Sequence, residues 1–199
     1  MSALLRLALR AVARAGRFDV REDYQRVRAL QRRLAALPTA RYRTPTWDTF
    51  SDAPDGHRVP VRVFAPTERR REDLLLFFHG GGFSGGDKYW EGRHLWYRMA
   101  AQGWVVISAN YALRPHAGYP EHLTDAKRVI AFARENADEY GIDPATVVVS
   151  GSSAGGHLAA MCALTTNLPE FQPGFDSADT QVSAAVCLYG YFGRYYGEP

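Results

Sequence analysis

Two glycine clusters, His79-Gly80-Gly81-Gly82-Phe83 and Gly151-Ser152-Ser153-Ala154-Gly155-Gly156, each follow directly on an apolar run. The first run is Leu74-Leu75-Leu76-Phe77-Phe78 and the second is Val147-Val148-Val149-Ser150. Short apolar runs closed by glycine read as buried strands, so each cluster falls where a strand stops. Helical stretches between the runs imply strand and helix in alternation, hence a parallel sheet with right-handed crossovers. A Gly-x-Ser-x-Gly at a strand-to-helix turn holds its serine in a strained backbone conformation that small neighbours tolerate, and lifts Oγ clear of the sheet. Ser153 is therefore the candidate nucleophile, with Gly151, Gly155 and Gly156 as the small residues around it.

A His-Gly-Gly-Gly turn after an earlier strand exposes backbone N–H groups with no side chains in the way, and such groups donate to a carbonyl oxygen as it becomes an oxyanion. The N–H groups of Gly81, Gly82 and Ala154 are the candidates for that role, with His79 and Gly80 shaping the loop. One such donor is worth roughly 2.7–4 kcal/mol of barrier.

These residues resemble the α/β-hydrolase fold, and within it esterases of the bacterial hormone-sensitive lipase family. The resemblance runs from about Val59 to Phe192 and includes Tyr111-Ala112-Leu113-Arg114-Pro115 after a third strand and Tyr140-Gly141-Ile142-Asp143-Pro144 before the nucleophile strand. It implies a mostly parallel central sheet with helices on both faces, a serine esterase or lipase chemistry, and a small-molecule ester as substrate. Two departures stand out: Ser152 lies where such esterases usually carry an acidic residue, and His116 where they carry a glutamate.

In the resembling fold the acid and the histidine of the triad follow the serine in chain order. After Ser153 the sequence offers one helix, one strand near Val182 to Leu188 and a short aromatic tail. The portion expected to carry the acid and base amounts to on the order of 70–120 further residues. The core is thus expected to lack its last strands, and the triad acid and histidine to have no candidate here. His79 belongs to the glycine loop, His157 lies one turn into the helix behind Ser153, and His57, His94, His116 and His122 all precede the nucleophile. Because losing the base alone can cost as much as losing the whole triad, these residues by themselves are expected to turn over very weakly. Two other readings stay open: a non-catalytic remnant or binding module, and an amidase or formamidase of the same fold.

The 199 residues are 46% hydrophobic and 23% charged, enough apolar material for one globular core. The net charge of +3 from 24 basic and 21 acidic residues calls for no nucleic-acid partner. Its distribution is uneven: residues 1–41 hold ten arginines against Asp19, Glu22 and Asp23. Arg6, Arg10, Arg14 and Arg17 recur at helical spacing beside Leu5, Leu9 and Val12, which predicts a basic amphipathic helix. Arginine every fourth position interrupts the apolar run a secretory leader needs, so no export signal is expected and the location read from sequence is cytoplasmic. A second helix is expected from Asp19 to Leu37, stopped by Pro38. Residues 1–44 then form a cap or a membrane-surface segment, with residues 1–17 the membrane contact, and residues 45–199 form the incomplete hydrolase core.

Gly151 to Gly156 lacks the Lys-Ser/Thr ending of a phosphate loop, no dinucleotide fingerprint opens a helix, and no His, Cys or carboxylate cluster has metal-ligand spacing. No cofactor is implied. Cys162 and Cys187 read as core thiols. The aromatic residues Phe83 and Tyr189 are candidates to line a substrate pocket. The remaining elements expected are a hairpin at Thr46 to Phe50 and Val59 to Phe64 turning at Asp55-Gly56, a helix from about Arg93 to Gln102, a strand at Trp104 to Ala109 and a helix from His122 to Tyr140. Ending on the Val182 to Leu188 strand predicts a bare sheet edge and self-association through it.

Overall fold

A computed structural model describes residues 44–52, 56–68 and 72–192. The helices expected before residue 44, and with them the cap or membrane-surface reading, lie outside the described residues, as does Asp55 of the expected turn.

The first two strands, β1 (Thr46–Asp52) and β2 (Arg58–Phe64), form an antiparallel hairpin. The Leu74 run is β3 (Leu74–Phe78), every residue of it buried, followed by α1 (Arg93–Ala101) and β4 (Val105–Ala109). Next comes α2 (Glu121–Glu135). The single helix expected through Tyr140 is in fact two: Asn136 leaves helical geometry at φ −107° and ψ 21° before the short α3 (Ala137–Tyr140). The break follows from Asn136 turning its side chain back, since its Nδ2 donates to the Phe132 carbonyl at 2.7 Å, a local bond that competes with the helix. Gly141 then ends α3 in the left-handed conformation at φ 61°. The valine run is β5 (Val147–Ser152), longer than expected by the two residues that enter the turn, and it leads to α4 (Ala154–Leu164) and β6 (Ala184–Leu188).

The six strands lie in the order β1-β2-β4-β3-β5-β6. The β3–β4, β3–β5 and β5–β6 pairs are parallel, and the hairpin and its junction with β4 are antiparallel. Helices cover both faces, as strands buried on both sides require. On one side Trp96 and Ala100 of α1 pack against Phe64, Leu75, Phe77 and Val106. On the other, Leu123, Ala126, Val129 and Ile130 of α2 and Leu158, Ala159 and Cys162 of α4 share a core with Leu74, Leu76, Ile107, Val147 and Val149. Both cysteines are free thiols, and burial pushes Cys162 up to about 12.

The two edges differ in chemistry. At β1, Asp48 pairs with Arg62 at 2.8 Å and with Lys88, and Asp52 accepts from Arg58 at 2.6 Å. At β6 no described strand covers the outer side, and Val186 and Leu188 are 48% and 38% exposed. The expected bare edge is therefore present among the described residues. No helix among them is long and apolar enough to cross a membrane.

Lys127 of α2 is fully buried and binds no carboxylate among the described residues. Its ammonium donates to the Thr165 carbonyl, to Gln172 Oε1 at 3.1 Å and to Thr180 Oγ1 at 3.3 Å. These bonds fasten the connection between α4 and β6 to α2. Lys127→Met removes all three charge-assisted bonds, although the Leu168 N–H still serves the Thr165 carbonyl and Thr180 still serves Gln172 Oε1, and is expected to cost about 1.5–3 kcal/mol of unfolding free energy, read from the urea midpoint; an unchanged midpoint would show the network carries no stability.

Candidate active site

The site is assembled by one pairing. β3 and β5 are parallel neighbours with Phe78 opposite Gly151, so the two motifs leave the sheet side by side at the same end. The approach is closer than ordinary strand spacing. A side-chain carbon on Gly155 would lie 1.9 Å from the Phe78 carbonyl oxygen and 2.6 Å from that of His79, so only glycine permits the start of α4 to sit on the end of β3. Gly151 faces the Gly155 backbone in the same way, and Gly156 abuts the Leu188 carbonyl.

Ser153 has φ 53° and ψ −115°, a conformation an L-residue adopts only under constraint. The constraint is visible: its N–H donates to the Leu188 carbonyl at 2.9 Å and its carbonyl accepts the His157 N–H at 3.0 Å. The side chain is half-exposed at the mouth of the turn.

The glycine loop is shaped from three sides. Tyr111, just past β4, donates its hydroxyl to the His79 carbonyl at 2.7 Å and stacks on the His79 ring with centroids 4.4 Å apart. His79 Nδ1 donates to the Gly80 carbonyl at 2.7 Å. In a trans peptide the C=O and N–H point opposite ways, so fixing the Gly80 carbonyl against the buried His79 turns the Gly81 N–H outward. Gly81 sits at φ 105° and its carbonyl accepts the Ser84 N–H at 3.1 Å, closing the turn. The N–H groups of Gly81, Gly82 and Ala154 meet no acceptor among the described residues.

Phe83 and Tyr189, both at positive φ, are placed very differently. Phe83 is 9% exposed, stacked on His122 at 4.7 Å and edge-on to His157 and Tyr111. Tyr189 is 76% exposed just beyond β6, beside the elbow that Leu188 holds.

None of the six histidines hydrogen-bonds Ser153 Oγ. His157 Nδ1 donates to the Tyr191 carbonyl at 2.6 Å. His57 does meet a carboxylate, Asp125 Oδ1 at 2.9 Å, while Asp125 Oδ2 accepts the Ala112 N–H at 2.8 Å. His57 lies just before β2 and Asp125 on α2, and neither hydrogen-bonds Ser153. Burial raises the Asp125 carboxyl, against the lowering by the Ala112 N–H and His57. This pair was not singled out from sequence, because His57 and Asp125 lie 68 residues apart and meet only in the folded chain.

His122 donates from Nδ1 to the Ala112 carbonyl at 3.2 Å, and its Nε2 is buried without a partner. Ser152, at the position of the usual acidic residue, is likewise buried with its hydroxyl unpartnered. No group of three or more potential metal ligands occurs among the described residues.

The family model BD-FAE matches residues 62–192. Esterase LipQ of Mycobacterium tuberculosis is 44% identical over 123 residues, which are 62% of this chain and 29% of that protein. The probable carboxylic ester hydrolase LipM of the same organism is 42% identical over 119 residues, 60% of this chain and 28% of that one. Among solved structures, an arylesterase superposes with a TM-score of 0.72 at 26% identity, covering 100% of this chain and 62% of its own. Esterase LipW from Mycobacterium marinum superposes at 0.64 with 28% identity, covering 72% of this chain and 47% of that one. The fold is that of the α/β-hydrolases, and the chain spans about three tenths of the length of the two curated relatives.

Two consequences are measurable. Burial holds the His122 imidazole below its ordinary value, opposed by the bond to Ala112 and assisted by Arg114. The unfolded chain then takes the proton first, so stability is full above about pH 6.5 and falls as pH drops below it. His122→Phe, which keeps a ring against Phe83, is expected to flatten that acid slope in pH-dependent urea titrations; an unaltered slope refutes the assignment. Ser152→Ala removes a hydroxyl that makes no bond and is expected to leave stability unchanged or to raise it by up to about 1 kcal/mol. A loss above about 1 kcal/mol in the same titration contradicts this.

Proposed function

Because the chain belongs to the BD-FAE family, we propose that it forms the nucleophile and oxyanion half of a serine carboxylic-ester hydrolase. Ser153 Oγ attacks the ester carbonyl carbon, and the oxygen that gains charge is held by the N–H groups of Gly81, Gly82 and Ala154. The histidine that takes the serine proton and returns it to the leaving alcohol, and the acid that orients it, come from outside the described residues. Water then attacks the acyl-serine by the reverse proton path, releasing the acid and the serine. The observation that carries this reading is Ser153 at φ 53° on a strand-to-helix turn, next to a glycine loop whose free N–H groups leave the same end of the sheet. His79 supports it by orienting the Gly81 N–H, and Gly80, Gly151, Gly155 and Gly156 by allowing the close approach.

The substrate we assign is a small-to-medium apolar ester, with Tyr189 as an exposed wall beside Ser153 and Phe83 as the packed floor of the glycine loop. Relatives named esterases and a carboxylic ester hydrolase favour an ester over an amide. The outer edge of β6 is the surface we assign to self-association, since the run from Thr180 to Phe192 contains no charged residue to oppose it.

One observation favours a second reading, a non-catalytic ligand-binding remnant: no histidine meets Ser153. Turnover of p-nitrophenyl butyrate separates the two. The 199-residue chain and its Ser153→Ala variant are expected to turn over at the same very weak rate. A chimera continuing into the LipQ sequence that follows the matched stretch is expected to turn over at least 1,000-fold faster than its own Ser153→Ala variant, an order-of-magnitude figure for a restored triad. A chimera that folds but gains nothing from Ser153 sinks the esterase proposal, and Ser153-dependent turnover by the chain alone shows that it holds its own base.

A further inference from the structure

The peptide unit between His79 and Gly80 is held at both ends by side chains, one of which no sequence motif picks out. At its carbonyl end stands Tyr111. At its amide end the Gly80 N–H donates to the carboxylate of Glu91. Both carboxylate oxygens lie over the glycine: a side-chain carbon on Gly80 would stand 2.9 Å from one and 3.2 Å from the other. Glu91 makes no ion pair with a described Lys or Arg, although Arg93 and Arg98 lie in the helix that follows it. A half-buried carboxylate that spends its charge on one backbone N–H makes a bond roughly twice as strong as a neutral one.

Glu91 is itself fixed. It sits in the turn that enters α1, where the Arg93 N–H donates to the Trp90 carbonyl at 3.4 Å and the Trp96 N–H to the Gly92 carbonyl at 3.0 Å. The near side of the turn is tied to the end of β4, since the Lys88 N–H donates to Asn110 Oδ1 at 2.7 Å. Trp96 is fully buried under β3. The carboxylate is thus carried to the glycine loop on a rigid element, the arrangement that preorganised sites need.

We infer that Glu91 is a positioning residue for the oxyanion loop: by gripping the Gly80 N–H it fixes one peptide plane, Tyr111 and His79 fix its other end and the next plane, and the Gly81 and Gly82 N–H groups are left pointing outward. Its purpose rests on the acyl-transfer reading, but the grip is measurable without turnover. The experiment is amide NMR on the 199-residue chain labelled with 15N-glycine, comparing wild type, Glu91→Ala and Glu91→Gln. In Glu91→Ala the Gly80 amide is expected to exchange roughly ten- to hundredfold faster, the Gly81 and Gly82 signals to move, and Gly103, Gly141 and Gly174 to stay in place. Glu91→Gln, which keeps a neutral acceptor, is expected to fall between and so to rescue part of the effect. Unchanged Gly80 exchange in Glu91→Ala overturns the grip, and a freed Gly80 with unmoved Gly81 and Gly82 overturns the positioning. If Glu91→Ala shifts the three remote glycines as well, it has lost its fold and Glu91→Gln decides alone, an unmoved Gly80 counting against the inference. An inactive LipQ chimera would sink the esterase reading without touching these signals, whereas an active one with unmoved amides would sink only Glu91.

Discussion

Everything at the candidate site depends on how closely α4 approaches the end of β3. Gly155 rests on the Phe78 and His79 carbonyls with no room for a side-chain carbon. That contact fixes the strand-to-helix turn against the glycine loop, and the turn in turn forces Ser153 into its left-handed conformation. The backbone strain is balanced by packing on both sides: β5 lies in the sheet between β3 and β6, and α4 packs Leu158, Ala159 and Cys162 into the core. A strained residue persists only where its surroundings over-determine it, and here the Leu188 and His157 bonds close the remaining freedom.

The loop facing Ser153 is organised on a different principle. Three consecutive glycines have no intrinsic preference, so their geometry is imposed from outside by His79, Tyr111 and Glu91. These come from three separate stretches of chain and converge because β4, which leads to Tyr111, is the parallel neighbour of β3, and the turn before α1 folds Glu91 back over Gly80. Behind them the β4–α2 connection acts as a backing: its Arg114 N–H donates to the Phe83 carbonyl at 2.8 Å, and Asp125 and His122 hold the two ends of the Ala112 residue. The ionisable groups near the site are thereby committed to structure, which is consistent with none of the histidines meeting the serine.

The sheet is asymmetric in a way that bears on function. The hairpin edge is closed by ion pairs on charged side chains, while the edge beside Ser153 is apolar and uncharged. Sheet edges of the second kind pair readily with other strands. The exposed Tyr189, Tyr191 and Phe192 continue that surface past the strand end, next to the elbow.

Local pattern was enough for the sheet strands, for α1 and α4, and for the place of Ser153 and its glycines at a strand-to-helix turn, because glycine punctuation and buried apolar runs are short-range signals. The stretch from His122 to Tyr140 reads as one helix but is two, since Asn136 breaks it through a side-chain bond that periodicity does not register. His79 was legible as a loop-shaping residue from its place before the glycines. Its partners were not: Glu91 lies in an unremarkable polar turn, and its role exists only because that turn folds back over Gly80. The His57–Asp125 dyad and the buried Lys127 likewise join residues far apart in sequence. What the amino-acid order determined by itself was which segments are strands and where the chain must turn on glycine. Which N–H groups face outward, which carboxylate holds them and which histidines are withheld from the serine were decided by tertiary structure, because hydrogen bonds between distant segments have no local signature until the sheet brings them together.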